Sequence, residues 1–343
     1  MGVNMIRAFF FLLLSVLTLH AAESYDIAIA KSPKKKPKPT PKPIPAPTPQ
    51  PQPQPQPQPP PLPKPKELEF VTGGYHGGRL GNQLFQVAAA LSLAFDHNAI
   101  PVFPDYAEWQ LYDIPENLKN IFFRLNTNKA LKLSNTYFED PNFVYKPIPY
   151  SPNMQIRGFF QSEKYFKHNS EKILPLFEPR RELVEYLTQK YKTLLNHPYT
   201  VGVHLRAYKI EDPSILNAMV PITIDYIKKA ASLYDDEALF VIFSDSIPWA
   251  KEILATFERP FYIVENETQY ADLYLFSFLK HQIISNSSFS WWGAYLNKNP
   301  SKIVVAPRPW FQPNWHNAPG NDSIIPSGWF VLNPFTLKVT PPQ

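Results

Sequence analysis

Few residues in this chain have both the type and the setting to do chemistry, and most of them fall at the ends of strand-like runs. Tyr199-Thr-Val-Gly-Val-His-Leu-Arg206 alternates as a strand does and ends on an arginine two residues after a histidine. Ala238-Leu-Phe-Val-Ile-Phe243 is a wholly apolar run that stops at Ser244-Asp245-Ser246. Gln282-Ile-Ile-Ser285 is a third, leading through Asn286-Ser287-Ser288 into Phe289-Ser-Trp-Trp292 at the head of a helical segment. The sequence holds no D-x-D, no H-x-x-x-H, no clustered His and carboxylates and no cysteine, so no metal is expected, and thiol chemistry and disulfides drop out. What remains suits an anion. A site that neutralises a diphosphate without a divalent cation needs a forked guanidinium and oriented amides. Arg206, flanked by His204, supplies the first, and the hydroxyl-rich turn Ser285 to Ser288 opening a helix supplies the second. Singly, each has a plainer reading: His204-Leu-Arg206 as an ion-paired strand end, Asp245 as the cap of the next helix, Trp291-Trp292 as core. Their conjunction is what points to a site.

The elements that must position these residues follow a βα rhythm. Glu69 to Thr72 reads as a short strand, followed by the glycines Gly73, Gly74, Gly77, Gly78 and Gly81, and then by a helix from Gln83 to Phe95 rich in alanine and leucine. Strand, glycine-rich turn and helix bring backbone amides close to an anionic group, but the spacing is neither G-x-G-x-x-G nor a P-loop, which argues against dinucleotide redox chemistry and ATP hydrolysis. Further along, helices over 222–233, 248–254 and 270–280 alternate with strands at 199–206, 238–243, 261–264, 282–285 and 302–306. Alternation of this kind implies parallel, doubly wound sheets with ligands at strand C-termini. The fold class expected is therefore α/β, with a hinge at Asn196-His197-Pro198.

The N-terminal part is a different polymer. Of 40 prolines, 17 lie between Pro33 and Pro65, and residues 27–66 carry eight lysines and no acid. Removing that charge, and the −1 of residues 1–26, from the overall +5 leaves about −2 for residues 67–343. The basic pI near 9.0 thus belongs to the tail, and no nucleic-acid partner is called for. Residues 33–65 have fixed φ angles and few amide donors, which predicts a disordered, extended polyproline stalk. Ahead of it, Ala8 to Leu19 is apolar over the length of a signal-peptide core, so residues 1–22 are expected to be a signal peptide or a short membrane anchor. That leaves a membrane-associated protein, at a bacterial envelope or in a Golgi-type lumen, with the side of the membrane open. The sequons at Asn266, Asn286 and Asn321 do not decide it, because Asn286 lies inside the candidate site.

Several blocks of the folded part resemble the alpha-1,2-fucosyltransferases of glycosyltransferase family 11, and they occur in that family's order. They are Gly78-Arg-Leu-Gly-Asn-Gln-Leu-Phe-Gln86, Gly158-Phe-Phe-Gln-Ser-Glu-Lys-Tyr-Phe166, His204-Leu-Arg206, Phe243-Ser-Asp245, Ile284-Ser-Asn-Ser-Ser-Phe-Ser-Trp-Trp-Gly-Ala-Tyr-Leu296 and Ile324-Ile-Pro-Ser-Gly-Trp-Phe330. The resemblance implies a GT-B fold, two Rossmann-like domains facing each other across a cleft: residues 67–197 on the acceptor side and 198–343 on the GDP-sugar side, after a linker over 23–66. It implies an inverting, metal-independent transfer of L-fucose from GDP-β-L-fucose, a co-substrate, to the 2-hydroxyl of a galactose-terminated glycan. By the same resemblance Arg206 stabilises the departing GDP, His204, Asp245, Ser287, Ser288 and Phe289 seat the donor, and Asn82 faces the fucose and acceptor from a glycine-rich loop. Arg79, Gln83 and Glu163 are the acceptor-side candidates. Glu163, Asp245 and Asp272 are all open as the general base. After H-x-R the family commonly has a second arginine and Gly-Asp-Tyr, whereas here Ala207-Tyr208-Lys209 follow, with Lys209 as the replacement charge, a point charge and not a fork. Transfer of another GDP-sugar or formation of another linkage is the alternative within enzymes. An inactive carbohydrate- or GDP-binding envelope protein is the alternative outside them.

Overall fold

The computed structural model describes residues 67–128, 133–140, 142–208, 217–315 and 321–343, the side chains of Asn321 and Asp322 excepted. The expected anchor over 1–22, the stalk over 23–66 and the expected replacement charge Lys209 lie outside the described residues.

Two sheets organise the chain. The first has the order β2-β1-β4-β3 and is parallel throughout, built from β1 (Phe70–Gly73), β2 (Ile100–Val102), β3 (Asn135–Phe138) and β4 (Met154–Arg157). Only β1 was legible in the sequence. The others are three or four residues long, β2 holds Pro101, and β3 is a largely exposed edge, so none shows the apolar run that marks a buried strand.

The second sheet has the order β11-β10-β9-β8-β5-β6-β7. Its strands are β5 (Thr200–Leu205), β6 (Leu239–Ser244), β7 (Phe261–Ile263), β8 (His281–Ile283), β9 (Val304–Pro307), β10 (Phe330–Leu332) and β11 (Val339–Thr340). All pair in parallel except β10 with β11, an antiparallel edge the sequence did not announce. From β7 to β10 the order is that of a doubly wound Rossmann sheet, in which the chain reverses direction between β5 and β8. Such a reversal is where doubly wound sheets leave a crevice for a ligand, and here it lies at the C-terminal ends of the strands carrying His204 and leading to Ser285.

Five helices frame the crevice: α1 (Leu80–Asp96), α2 (Ile224–Ala231), α3 (Ile247–Ile253), α4 (Gln269–Phe278) and α5 (Ser288–Leu296). α1 begins at Leu80, earlier than the expected Gln83, because Arg79 is extended and its carbonyl accepts from both Asn82 and Gln83. It is buried from Leu80 to Ala94 but for Asn82, as a helix apolar on all sides must be. Asn98 just beyond it takes the left-handed conformation at φ 52°, a usual helix stop. Thr223 and Thr268 cap α2 and α4 by accepting from the amides of Tyr226 and Ala271.

α1 and α5 meet at the heart of the molecule. Phe85 lies 4.5 Å from Trp291 and 5.1 Å from Trp292, centroid to centroid, and Phe166 stacks on Trp292 at 5.3 Å. Both tryptophans are fully buried, so the pair is core. At the far end of α5, Lys302 Nζ donates to the carbonyls of Ala294 and Asn297 at 2.8 and 2.7 Å, satisfying groups that a helix end leaves without partners. Residues 64–343 form one compact unit, with the expected hinge at 196–198 falling between the two sheets. Among the described residues, no helix is long and apolar enough to cross a membrane.

Candidate active site

β5 and β8 deliver the first contact. His204 Nδ1 lies 2.8 Å from Ser285 Oγ across the reversal point, with His204 only 6% exposed and Ser285 wholly buried. Burial, and then the charge of Arg206, hold the His204 pKa well below its ordinary value, so the ring is neutral at pH 7. Phe289 covers it, ring centroids 5.4 Å apart.

Arg206, one residue past β5, meets Asp245, one residue past β6. Arg206 Nη1 lies 3.0 Å from Asp245 Oδ2, and the Ala207 amide donates to Asp245 Oδ1 at 2.8 Å. Both oxygens of Asp245 are therefore engaged, one orienting the guanidinium and one fixing the backbone that carries it. Asp245 does not cap α3, whose N-cap is Ser246, so the plainer reading of this residue does not hold. Arg206 is about one-third exposed, leaving guanidinium edges for a ligand.

Tyr208 is the residue that sequence reasoning passed over. Its hydroxyl donates to the Asn286 carbonyl at 2.6 Å, its ring lies 5.7 Å from the Arg206 guanidinium carbon, and its φ of 41° is one that few non-glycine residues adopt. The departure from the family pattern at Ala207-Tyr208 thus supplies a strut between the Arg206 loop and the serine-rich turn. In the sequence it registered only as part of a departure from the family pattern after Arg206. Asn286 is itself buried, and its Nδ2 donates to the carbonyls of Val220 and Trp310 at 2.8 and 3.0 Å, which takes it out of reach as a glycosylation site.

The opposite wall comes from the first sheet. Asn82 stands in the first turn of α1, not on the glycine-rich loop as expected, because Leu80 and Gly81 are already helical. Its Oδ1 accepts from Ser288 Oγ at 2.7 Å and from Gln161 Nε2 at 2.8 Å. Gly78, at φ 80°, has room for no side chain: a Cβ there would stand 2.0 Å from Asn82 Nδ2. A Cβ on Gly81 would stand 2.4 Å from the Phe289 amide nitrogen. The first turns of α1 and α5 are thus pressed together, and α5 starts at Ser288 with no side-chain cap from Ser287. Two helix N-termini meet there, and Tyr208 ties the loop that carries Arg206 to the turn entering the second of them, an arrangement suited to an anion.

His204, Arg206, Asp245, Ser287, Ser288, Phe289 and Asn82 therefore gather around one crevice. The acceptor-side candidates do not share it equally. Gln83 is fully buried and spends its amide on the carbonyls of Gly78 and Tyr112 and on Asn117 Nδ2, a structural pin. Glu163 is nearly buried and pairs with Lys167 at 3.0 Å. Arg79 is exposed at the head of α1. Asp272, in the first turn of α4, has a buried Oδ1 with no hydrogen-bond partner, and burial followed by the charge of Glu267 pushes its carboxyl up to about 7. Among the described residues, no group of three His, Asp or Glu side chains could hold a metal ion.

Known proteins share the fold and the family. The fucosyltransferase NodZ from Bradyrhizobium superposes with a TM-score of 0.50 over 81% of this chain and 100% of its own, at 13% identity, which places the fold in the GT-B class. An O-antigen biosynthesis glycosyltransferase, WbnK, of Escherichia coli is 33% identical over 46% of this chain, and the match spans about half, 55%, of that relative's length. An alpha-1,2-colitosyltransferase of Escherichia coli is 28% identical over 68% of this chain and 90% of its own. The model of glycosyl transferase family 11 matches residues 62–333, and the chain belongs to that family.

Proposed function

We propose that this protein transfers L-fucose from GDP-β-L-fucose to the 2-hydroxyl of a terminal galactose, with inversion at the sugar carbon. The observation that carries the reading is Arg206, held by Asp245, on a loop that Tyr208 pins to the turn opening α5, whose first turn is pressed against that of α1. In such a transfer the bond from C1 to the β-phosphate oxygen breaks first, and charge builds on the departing diphosphate and on the sugar ring. Arg206 takes the phosphate charge through its free guanidinium edges, and the amides at the head of α5 take the rest. Ser287 offers its hydroxyl to the phosphates, while Ser288, whose hydroxyl proton goes to Asn82, offers its backbone amide. Neutral His204, under Phe289, lines the same crevice without adding charge. Asn82 faces the transferred sugar from the other sheet, its carbonyl oxygen already satisfied and its amide beside Gly78. The galactose 2-hydroxyl then attacks C1 from the opposite face and gives its proton to one of the candidate bases, Glu163, Asp245 or Asp272, or to the departing phosphate.

A second reading is favoured by the relative matched over 90% of its own length, which is named for colitose transfer. Colitose is fucose without its 3-hydroxyl, so the two donors differ by one hydrogen-bonding group. Competing the two GDP-sugars for a galactoside acceptor separates them. The decisive test of the main reading is Arg206→Ala: GDP release from GDP-fucose in the presence of a galactoside should fall at least ~10³-fold with little change in Tm. Undiminished turnover overturns it.

A further inference from the structure

Beside the glycine-rich turn lies a surface that no step above uses. Tyr75, 4% exposed, forms the base of an aromatic cluster, with Trp109 at 5.3 Å and Tyr112 at 6.0 Å, centroid to centroid. The two outer rings face solvent, Trp109 at 39% and Tyr112 at 53% exposure, although each is large and apolar enough to be drawn into a core. Tyr112 adopts a positive φ, 54°, which is costly for an aromatic residue, and Asp113 after it, at 59°, is of a type that tolerates it.

This cluster is tied to the active-site wall. The Tyr75 hydroxyl donates to the Gly78 carbonyl at 3.1 Å, and Gln83 Nε2 bridges the carbonyls of Gly78 and Tyr112. Gly78 in turn abuts Asn82. Arg157, at the end of β4, holds the Tyr75 carbonyl at 3.0 Å and Asp105 at 3.0 Å, while the Asp105 carboxylate accepts from the Tyr75 amide. The platform is therefore rigid and continuous with the crevice. Its chemistry is that of a neutral sugar site. A pyranose presents one face of polarised C–H bonds, which prefer the negative face of an aromatic ring, and a rim of hydroxyls that need polar partners. Asp113 is exposed and heads the helix Ile114–Asn120 without capping it, so its carboxylate is available at the rim.

We infer that Trp109 and Tyr112 form the acceptor subsite, a stacking platform for the terminal hexopyranose of a neutral glycan. The inference rests on the transfer reading above and deepens it by naming where the acceptor docks.

The test separates the two. Saturation-transfer NMR on the full-length protein with lactose as the probe reads acceptor binding without turnover, for the wild type, Trp109→Ala and Tyr112→Asn. Asparagine is chosen because it accepts a left-handed backbone. Saturation of the galactose ring protons should be present in the wild type and fall at least five-fold in both variants, with GDP affinity by calorimetry unchanged. Absence of the signal in the wild type, equal signal in the variants, or a parallel loss of GDP affinity overturns the inference. A chain that fucosylates no galactoside, yet shows Trp109-dependent saturation, overturns the transfer reading and leaves the platform standing.

Discussion

Ser288 Oγ donates to Asn82 Oδ1 over 2.7 Å, and this bond joins the first turn of the helix that leads one sheet to the first turn of the helix that lines the other sheet's crevice. Gln161 holds the same oxygen, so Ser288→Ala leaves Asn82 satisfied. The expected cost is that of one hydrogen bond, about 1 kcal/mol, seen as a Tm lower by about 2–4 °C. Transfer should fall more than stability does, by about ten-fold, because the bond orients both the first turn of α5 and Asn82. Thermal melting and kcat measured on one preparation check this, and an unchanged kcat contradicts it.

Gly81 is the tightest point of that junction. A Cβ would stand 2.4 Å from the Phe289 nitrogen and 2.5 Å from the Ser288 carbonyl carbon, both backbone, so neither yields cheaply. Gly81→Ala should cost about 1–3 kcal/mol and push α1 away from α5. A displacement of that order misplaces Asn82 and is expected to lower turnover by as much as ~10²-fold. Gly328→Ala is the matched control, since nothing lies within 4 Å of its Cβ position, and its Tm and turnover should match the wild type.

Asp245 has two jobs that one substitution separates. Asp245→Asn keeps an oxygen for the Ala207 amide but removes the charge that aims Arg206. The expected result is a ~10–100-fold fall in kcat/KM for the donor, with Tm within a few degrees of wild type. Asp245→Ala, which loses both contacts, should fall further. Equal activity of wild type and Asp245→Asn would show that the carboxylate does not position the guanidinium.

Tyr208→Phe tests the strut that replaces the family's usual residues. The ring and its place beside Arg206 remain, while the 2.6 Å bond to the Asn286 carbonyl is lost. A loss of about 1 kcal/mol is expected, with a rise in KM for the GDP-sugar and little change in KM for the galactoside. A change confined to the acceptor KM contradicts this assignment.

The second sheet was legible in the sequence because β5 and β6 are six-residue strands buried along most or all of their length, and each is followed by a charged residue, Arg206 or Asp245, that meets the other. The same legibility brought out Arg206, Asp245 and the serine-rich turn. The first sheet was not, because three of its four strands are too short or too exposed to carry a pattern. Asn82 was found by type but misplaced by one element, since a glycine at the second position of a helix reads as loop. Tyr75, Trp109 and Tyr112 left no trace at all: 34 and 37 residues separate the outer rings from the inner one in sequence, and only the β1–α1 turn brings them together.

Asp272 makes stability depend on pH in a direction that can be worked out. Burial, then Glu267, raise its folded pKa to about 7 from an ordinary value of 3.8. Between those two values the fold keeps a proton that the unfolded chain has already released, so stability falls as pH rises from about 4 to about 7 and is level above that. Asp272→Asn removes the titration. The variant should match the wild type near pH 4.5 and exceed it at pH 8 by about 1–3 kcal/mol, a shift readable by melting at both values. A stability difference independent of pH contradicts the argument. The same variant also tests Asp272 as the general base: a carboxylate with a pKa near 7 and one unpartnered oxygen is suited to take the acceptor proton. Loss of transfer in a variant that has gained stability would assign it that step, because misfolding could not account for both. Retained transfer would leave proton removal to Glu163, Asp245, water or the departing phosphate.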